Sequence, residues 1–171
     1  MTTKRMSRIA MLAALCVASR QAFASLPNIQ PITAIFLICA VFLNLTDSIL
    51  IMAVTMLVSS FLLGFGPWVL WQIVSFAIVL VIWLGLYKLI QVLPLAKVHQ
   101  LIIQSIVAAL MGIVYGVVID SIGALLYSMP WWSYVMAGLS FNLAHALSTL
   151  IFYPLLEPIF RRLLFHEKVP H

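Results

Sequence analysis

The stretch MSRIAMLAALCVASRQAFAS, residues 6–25, decides the fold, because it is an apolar segment long enough for one membrane helix. Alanine recurs every fourth residue within it, at Ala10, Ala14, Ala18 and Ala22. On a helix this spacing places small side chains along one stripe, where the backbone of another helix can approach closely. At about 100° per residue, Arg20 points away from the middle of that stripe. The segment therefore predicts one face for a partner helix and an opposite face that directs a fixed charge into the protein.

The composition favours a membrane location for the whole chain. Of its 171 residues 65% are hydrophobic and 8% are charged, whereas soluble domains carry about 25% charged residues. Cys16 and Cys39 both lie within apolar runs, so we expect buried thiols rather than a disulfide or a metal site. We predict a single membrane domain over residues 1–171, with no room for a second, soluble domain.

The beginning of the chain also resembles a secretory signal peptide. Basic residues precede the apolar run 9–18, and Ala22-Phe23-Ala24 matches a small-residue cleavage site. However, Arg20 would be unusual so close to such a site. We therefore expect the segment to be retained as the first helix.

Breaks rich in polar residues, proline and glycine divide the chain into six apolar segments. We predict helices over residues 6–25, 32–43, 48–63, 69–92, 101–127 and 133–152. Pro154 and Pro158 are expected to bend a continuation of the last helix to residue 165, and Thr46 or Asp47 is the expected N-cap of the third. The second and third helices are short for a hydrocarbon core of about 30 Å, so they should tilt or wedge against longer neighbours. The predicted fold is an all-α integral membrane protein with six transmembrane helices.

The distribution of basic residues sets the expected orientation. With six helices, both termini lie on one side, together with the breaks at residues 44–47 and 94–99. That side holds eight of the nine Lys and Arg residues: Lys4, Arg5, Arg8, Lys88, Lys97, Arg161, Arg162 and Lys168. The positive-inside rule predicts that both termini are cytoplasmic. Because topology accounts for the charge, we expect no nucleic-acid partner.

Strongly polar residues inside a membrane are candidates for function. Five of them fall in the outer half of the predicted helices: Arg20, Gln72, Asp120, Asn142 and His145. Four helices would therefore direct polar groups to one cavity beneath three loops rich in proline and aromatic residues. The alternative is a structural ion pair between Arg20 and Asp120, which would tie the first helix to the fifth and is compatible with a pocket nearby.

Other features qualify these candidates. Asp120 continues a stripe typical of a helix-packing face, Ala108, Gly112, Gly116 and Ala124, so we expect it to be structural. His145 has no second ligand at i+3 or i+4, so we expect a hydrogen-bonding role and no metal site. The aromatic residues near the helix ends suit either a binding site or a membrane-interface belt. They are Phe65, Trp68, Trp71, Trp131, Trp132 and Tyr134.

The sequence contains no nucleotide-binding, zinc-protease or serine-hydrolase motif, so we predict no catalytic residues and no enzyme. With one acid embedded in the predicted spans, transport would need energy from a partner. Two other classes stay open. One is a membrane scaffold or assembly factor whose small-residue stripes only pack partners, and the other is a membrane enzyme of lipid metabolism that depends on Asp120 or His145.

Three features together resemble the S component, the substrate-binding membrane subunit, of an energy-coupling factor (ECF) vitamin transporter. They are the alanine stripe, Leu26-Pro27-Asn28-Ile29-Gln30-Pro31-Ile32-Thr33-Ala34, and Gly64-Phe65-Gly66-Pro67-Trp68 followed by Trp71-Gln72. The resemblance covers essentially the whole chain. The loops are most similar to those of a cobalamin-type subgroup, with pantothenate or another vitamin as the alternative ligand.

The resemblance implies a vitamin-binding subunit in the bacterial cytoplasmic membrane that has no ATPase and no intrinsic cofactor. Its partners would be two cytoplasmic ATPases and a transmembrane coupling subunit, which would dock on the alanine stripe. The subunit would topple in the lipid bilayer to deliver its substrate, and the first, third and fifth loops would cap the ligand. With the polar residues above, the expected substrate contacts are Arg20, Asn28, Gln30, Phe65, Trp68, Gln72, Trp131, Asn142 and His145.

Overall fold

The computed structural model describes residues 2–166, so Lys168 lies outside the described residues. The described chain forms α1 (Thr3–Ala22), α2 (Ile32–Phe42), α3 (Leu45–Leu63), α4 (Trp68–Val92), α5 (Lys97–Leu126) and α6 (Trp131–His166). This confirms the expected all-α architecture. The last four helices are long and apolar enough to cross a membrane, which makes the chain a multi-pass membrane protein by helix length and composition.

α2 is the shortest helix and lies at the centre of the bundle. Its residues Ile32–Ala40 are all buried, and it contacts each of the other five helices. Two of its carbonyls accept hydrogen bonds from neighbouring helices: Trp83 Nε1 donates to Leu37 O at 3.0 Å, and Ser48 Oγ donates to Phe36 O at 2.8 Å. Its 11 residues span roughly 16 Å, about half of a hydrocarbon core. The longer helices therefore enclose α2, as expected for a wedge.

α3 begins earlier than expected. The side chain of Asn44 accepts a hydrogen bond from the backbone N–H of Asp47 at 2.8 Å, so Asn44 is the N-cap and the prediction of Thr46 or Asp47 was wrong. The Asp47 carboxylate is engaged elsewhere. Arg5 Nε donates to its Oδ1 at 2.7 Å and Arg8 Nη2 donates to its Oδ2 at 3.2 Å. These ion pairs fix the first turns of α1 and α3 to each other.

α6 continues as one helix through Pro154 and Pro158 and ends at His166, one residue beyond the expected continuation to residue 165. Within apolar surroundings the helix remains the conformation that satisfies most backbone groups, even where proline removes a donor. Glu157 pairs with Arg161 one turn later, and the guanidinium of Arg161 lies 5.2 Å from the centroid of the Phe42 ring at the end of α2.

α1 divides into two faces as expected. Ile9, Ala13 and Cys16 are buried against the bundle, whereas all four alanines of the stripe are exposed. The small-residue face is therefore left open by the protein itself. Cys16 and Cys39 are both free and buried, which confirms the prediction of buried thiols.

α5 and α6 form the most extensive helix pair, and the stripe of small residues on α5 lies within it. A Cβ atom at Gly112 would lie 3.1 Å from Ala146 Cα, so the two backbones touch there. One turn later, a Cβ atom at Gly116 would overlap the side chain of Asn142. The stripe is confirmed as a packing face, because glycine at these positions permits the close approach.

Replacing Gly116 with alanine tests this packing. We expect Gly116→Ala to lower the free energy of unfolding by about 1–3 kcal/mol, because the added methyl must displace the Asn142 amide. Gly85→Ala is the matched control, since no atom lies within 4 Å of a Cβ atom placed there. The measurement is the unfolding transition of each purified variant in detergent, and equal transitions for the two variants would contradict the proposed contact.

Candidate ligand-binding site

A small polar cavity lies where the first turn of α2 meets α1, α3, α4, α5 and α6. Its volume is about 60 Å³. The lining residues are Arg20, Asn28, Gln30, Ile32, Thr33, Met56, Gln72, Phe76, Tyr115 and His145. The space is large enough for a few water molecules or one small polar group. Because every helix contributes to its wall, the cavity is a product of the whole fold.

Arg20 supplies the only cationic side chain among these lining residues. Its Nη1 donates to Ser59 Oγ at 2.6 Å and lies 3.8 Å from Met56 Sδ, so α3 holds the guanidinium in place. Within residues 2–166 no carboxylate forms an ion pair with it. The positive charge is therefore held by neutral groups and has no counter-charge in the described chain.

The expected ion pair between Arg20 and Asp120 is not formed, and that prediction was wrong. α1 packs against α3 and α2, and although Arg20 shares a cavity with Tyr115 of α5, it forms no ion pair with Asp120. Asp120 instead accepts a hydrogen bond from Asn142 Nδ2 at 2.8 Å, and a Cβ atom at Gly138 would overlap its carboxylate. Asp120 and Asn142 thus join α5 to α6, in keeping with the expected structural role of Asp120.

His145 is fixed in the wall by polar and aromatic neighbours. Its Nε2 lies 2.6 Å from Thr33 Oγ1, which makes a buried hydrogen bond between α6 and α2. The His145 ring also meets the Tyr115 ring edge-on, at 5.0 Å between centroids. Phe76 in turn stacks on Tyr115, with 4.1 Å between their ring centroids. The imidazole therefore has a defined orientation, while its tautomer depends on whether Thr33 donates or accepts.

Gln72 presents an unsatisfied acceptor at the cavity. It lies in the second turn of α4, and its Oε1 is buried without a hydrogen-bond partner in the described chain. A buried amide oxygen without a donor is unfavourable by about 1–3 kcal/mol. A donor from a ligand or from water would remove this cost, so the cavity is chemically prepared for an occupant.

The connection between α1 and α2 closes one side of the cavity and is fastened to α6. Asn28 adopts a left-handed backbone conformation, with φ of 58°, and its Nδ2 donates to Phe141 O at 3.2 Å. Ser148 Oγ accepts from the backbone N–H of Gln30 and donates to the backbone oxygen of the same residue, both at 2.9 Å. Asparagine tolerates positive φ better than most residues, so this turn suits the sequence.

The structure brings together five of the nine expected substrate contacts: Arg20, Asn28, Gln30, Gln72 and His145. The other four lie elsewhere. Asn142 binds Asp120, Phe65 is exposed and stacks on Phe61, and Trp131 Nε1 donates to Ser121 Oγ at 2.8 Å. Trp68 lines a separate, largely apolar groove of about 450 Å³ between α4 and α5.

Sequence reasoning missed several residues of the site. Thr33 was noted only as part of a loop motif, yet it binds His145 directly. Tyr115 lies on the same helix as the glycine stripe, where its phenol group was the one polar signal. Ser59 supports Arg20 from α3, and a hydroxyl within an apolar helix gave no indication of which helix it would face. Partners across helices depend on tertiary packing, which periodicity does not specify.

Thr33→Val tests whether the hydroxyl holds His145. We expect the variant to lose about 1–3 kcal/mol of unfolding free energy, because the shape is kept while the imidazole loses its buried partner. Ser75→Ala is the control: Ser75 is equally buried, but its hydroxyl has no hydrogen-bond partner in the described chain. Its loss should therefore be neutral or stabilising in the same thermal-unfolding measurement. A control variant destabilised as much as Thr33→Val would count against a specific bond to His145.

No family model, curated protein or solved structure matches the chain. The site is therefore defined by its own geometry. It combines an arginine without a counter-charge, an amide oxygen without a donor and a rigid imidazole, all on the wall of one cavity. This arrangement can bind a small polar molecule that carries a negative charge.

Proposed function

We propose that the chain is the substrate-binding membrane subunit of an ATP-driven vitamin importer and that its ligand binds beside Arg20. The single observation that carries the proposal is the Arg20 guanidinium, held by Ser59 without a carboxylate partner in the described residues. Arg20 lies in the last turn of α1, and an ionisable residue within a membrane segment marks a functional site by default. A ligand carboxylate would supply the missing charge through charge-assisted hydrogen bonds.

The chemistry of the wall favours a small carboxylate-bearing vitamin. Pantothenate carries a carboxylate for Arg20 and hydroxyl and amide N–H groups that can donate to the buried Gln72 oxygen. The cavity of about 60 Å³ is smaller than the roughly 300–1,000 Å³ typical of ligand pockets. Binding therefore requires the site to open, and a small ligand requires less opening than a large one.

Cobalamin is the second candidate ligand. A corrinoid is a large macrocycle, so it needs space beyond the Arg20 cavity. The groove of about 450 Å³ beside Trp68 lies one helical turn away, because Trp68 and Gln72 are four residues apart on α4. A corrinoid would therefore require the two spaces to join into one larger site lined by aromatic residues.

The proposed topology has six membrane segments with both termini in the bacterial cytoplasm. The first turns of α1 and α3 meet through the ion pairs to Asp47, which agrees with these helices starting on one side. Exposure of the whole alanine stripe supports the docking of a coupling subunit on α1, since small residues permit close helix packing. ATP hydrolysis would take place on two cytoplasmic partner subunits.

The ligand can be identified directly from protein purified out of cells grown in vitamin-rich medium. We expect denaturation of the sample to release one vitamin in near-stoichiometric amount, which mass spectrometry identifies. The visible spectrum of the intact protein shows whether that vitamin is a corrinoid. A colourless protein that releases pantothenate supports the first candidate. If no ligand is released and none of a vitamin panel binds, the scaffold or assembly role replaces the proposal.

Arg20→Gln tests the role of the charge. We expect ligand affinity to fall about 10–150-fold, the loss typical of a charge-assisted hydrogen bond worth 1.5–3 kcal/mol. Arg162→Gln is the matched control, because this arginine is exposed near the end of α6. Isothermal titration of both variants with the identified vitamin gives the comparison. Unchanged affinity in Arg20→Gln would rule out binding at this cavity.

Ala14→Leu tests the docking face. Because this residue is exposed on α1, the larger side chain should leave folding and ligand affinity unchanged but hold the coupling subunit away and abolish vitamin uptake by cells. Ala137→Leu, at an exposed alanine of α6, should keep uptake intact. Equal uptake by the two variants would show that the alanine stripe is not the docking face.

A further inference from the structure

A second polar space lies far from the Arg20 cavity, between the first turns of α1 and α3. It is an open cleft of about 420 Å³, here called the basic cleft. Its lining residues are Thr2, Lys4, Arg5, Arg8, Asn44 and Asp47. Three cations and one carboxylate leave the basic cleft with a net charge of +2. Neither the proposed ligand site nor the alanine stripe uses these residues.

The single carboxylate is already satisfied by the protein. Asp47 is fully buried and binds both Arg5 and Arg8, so its negative charge is paired within the protein and does not face an anion that enters the cleft. Lys4 forms no ion pair within residues 2–166 and is exposed. The cleft therefore keeps a positive charge after its internal pairing is complete.

Accessible hydrogen-bond donors lie at the same place. The exposed ammonium of Lys4 forms no ion pair among the described residues, and the Arg8 side chain remains about one third exposed beside its bond to Asp47. Both helices also begin here, and the N–H groups of a first helical turn favour negative charge. These donors, the retained charge and the open space are the features of a site for an oxyanion.

We propose that the basic cleft binds the phosphate group of an anionic membrane lipid. The proposal rests on the membrane orientation proposed above, which places the first turns of α1 and α3 at the level of the cytoplasmic headgroups. Basic pockets between membrane helices on that side bind anionic headgroups, and the attraction falls off within a short distance of the surface. Lys4 and Arg8 would hold the phosphate, while Arg5 and Asp47 would keep the two helix ends together.

Native mass spectrometry of the intact chain in detergent tests the proposal, with phosphatidylglycerol and phosphatidylcholine as probes. We expect one tightly retained phosphatidylglycerol and no retained phosphatidylcholine. Lys4→Gln should weaken phosphatidylglycerol retention about fivefold, the effect of one cation near a membrane surface. Lys88→Gln is the matched control, because it removes the same charge at an exposed position of α4 outside the cleft.

A third probe, inorganic phosphate, distinguishes a lipid from a free anion. If inorganic phosphate displaces the lipid only at high concentration, the site is a lipid headgroup site. If it binds as tightly as the lipid, the lipid assignment is overturned and the cleft is a free-phosphate site. Equal weakening by Lys4→Gln and Lys88→Gln would show a diffuse surface charge and overturn the proposal. Vitamin binding is measured separately, with Arg20→Gln, so a failure of the lipid proposal can be told apart from a failure of the proposed function.

Discussion

The structure depends on the burial of α2, a helix too short to cross a membrane. Its residues Ile32–Ala40 are covered on all sides, so the other helices must supply the surface that faces lipid. Because the helix begins directly after Pro31, Thr33 is buried within the bundle and Gln30 lines the cavity. His145, the partner of Thr33, lies 14 residues beyond the start of α6, or roughly 20 Å along it. Because α2 is short, a cavity remains at its first turn, where a longer helix would occupy the space.

α1 joins this core to a face that the protein leaves open. Asp47 binds its first turns and Ser59 binds Arg20 near its end, so α3 holds α1 at both ends while the stripe of alanines stays exposed. A helix fixed so firmly on one face presents the other as a rigid surface, which lowers the entropic cost of binding a partner. The same contacts orient Arg20 into the cavity. The proposed ligand site and the proposed docking face thus lie on opposite sides of α1.

The sequence predicted what depends on one helix at a time, and less of what depends on two. Hydropathy and breaks gave six helices, and four-residue spacing gave both the exposed stripe of α1 and the packing stripe of α5. The prediction of an Arg20–Asp120 ion pair was wrong because the distance between two opposite charges depends on how the helices pack. α1 packs against α3, which leaves Arg20 without Asp120 as a partner. Trp68 and Trp131 were placed in the site on loop position alone, whereas their side chains lie outside it. The sequence suggested Asp47 as a helix cap. The structure shows instead that its carboxylate binds Arg5 and Arg8 of α1, a contact between helices that the local sequence does not reveal.

The walls of the Arg20 cavity differ in how firmly they are held, and from this difference we infer where the proposed ligand would enter. On the α5–α6 side, backbone contact at Gly112 and the bond between Asp120 and Asn142 leave little room for movement. The connection between α1 and α2 is held to α6 by three hydrogen bonds through Asn28 and Gln30 and by the edge-on contact of Phe23 with Phe152, and its residues 24–28 are exposed. Segments with few buried contacts open at the lowest free energy. We therefore expect the loop after α1 to open to a ligand more readily than the wall formed by α5 and α6.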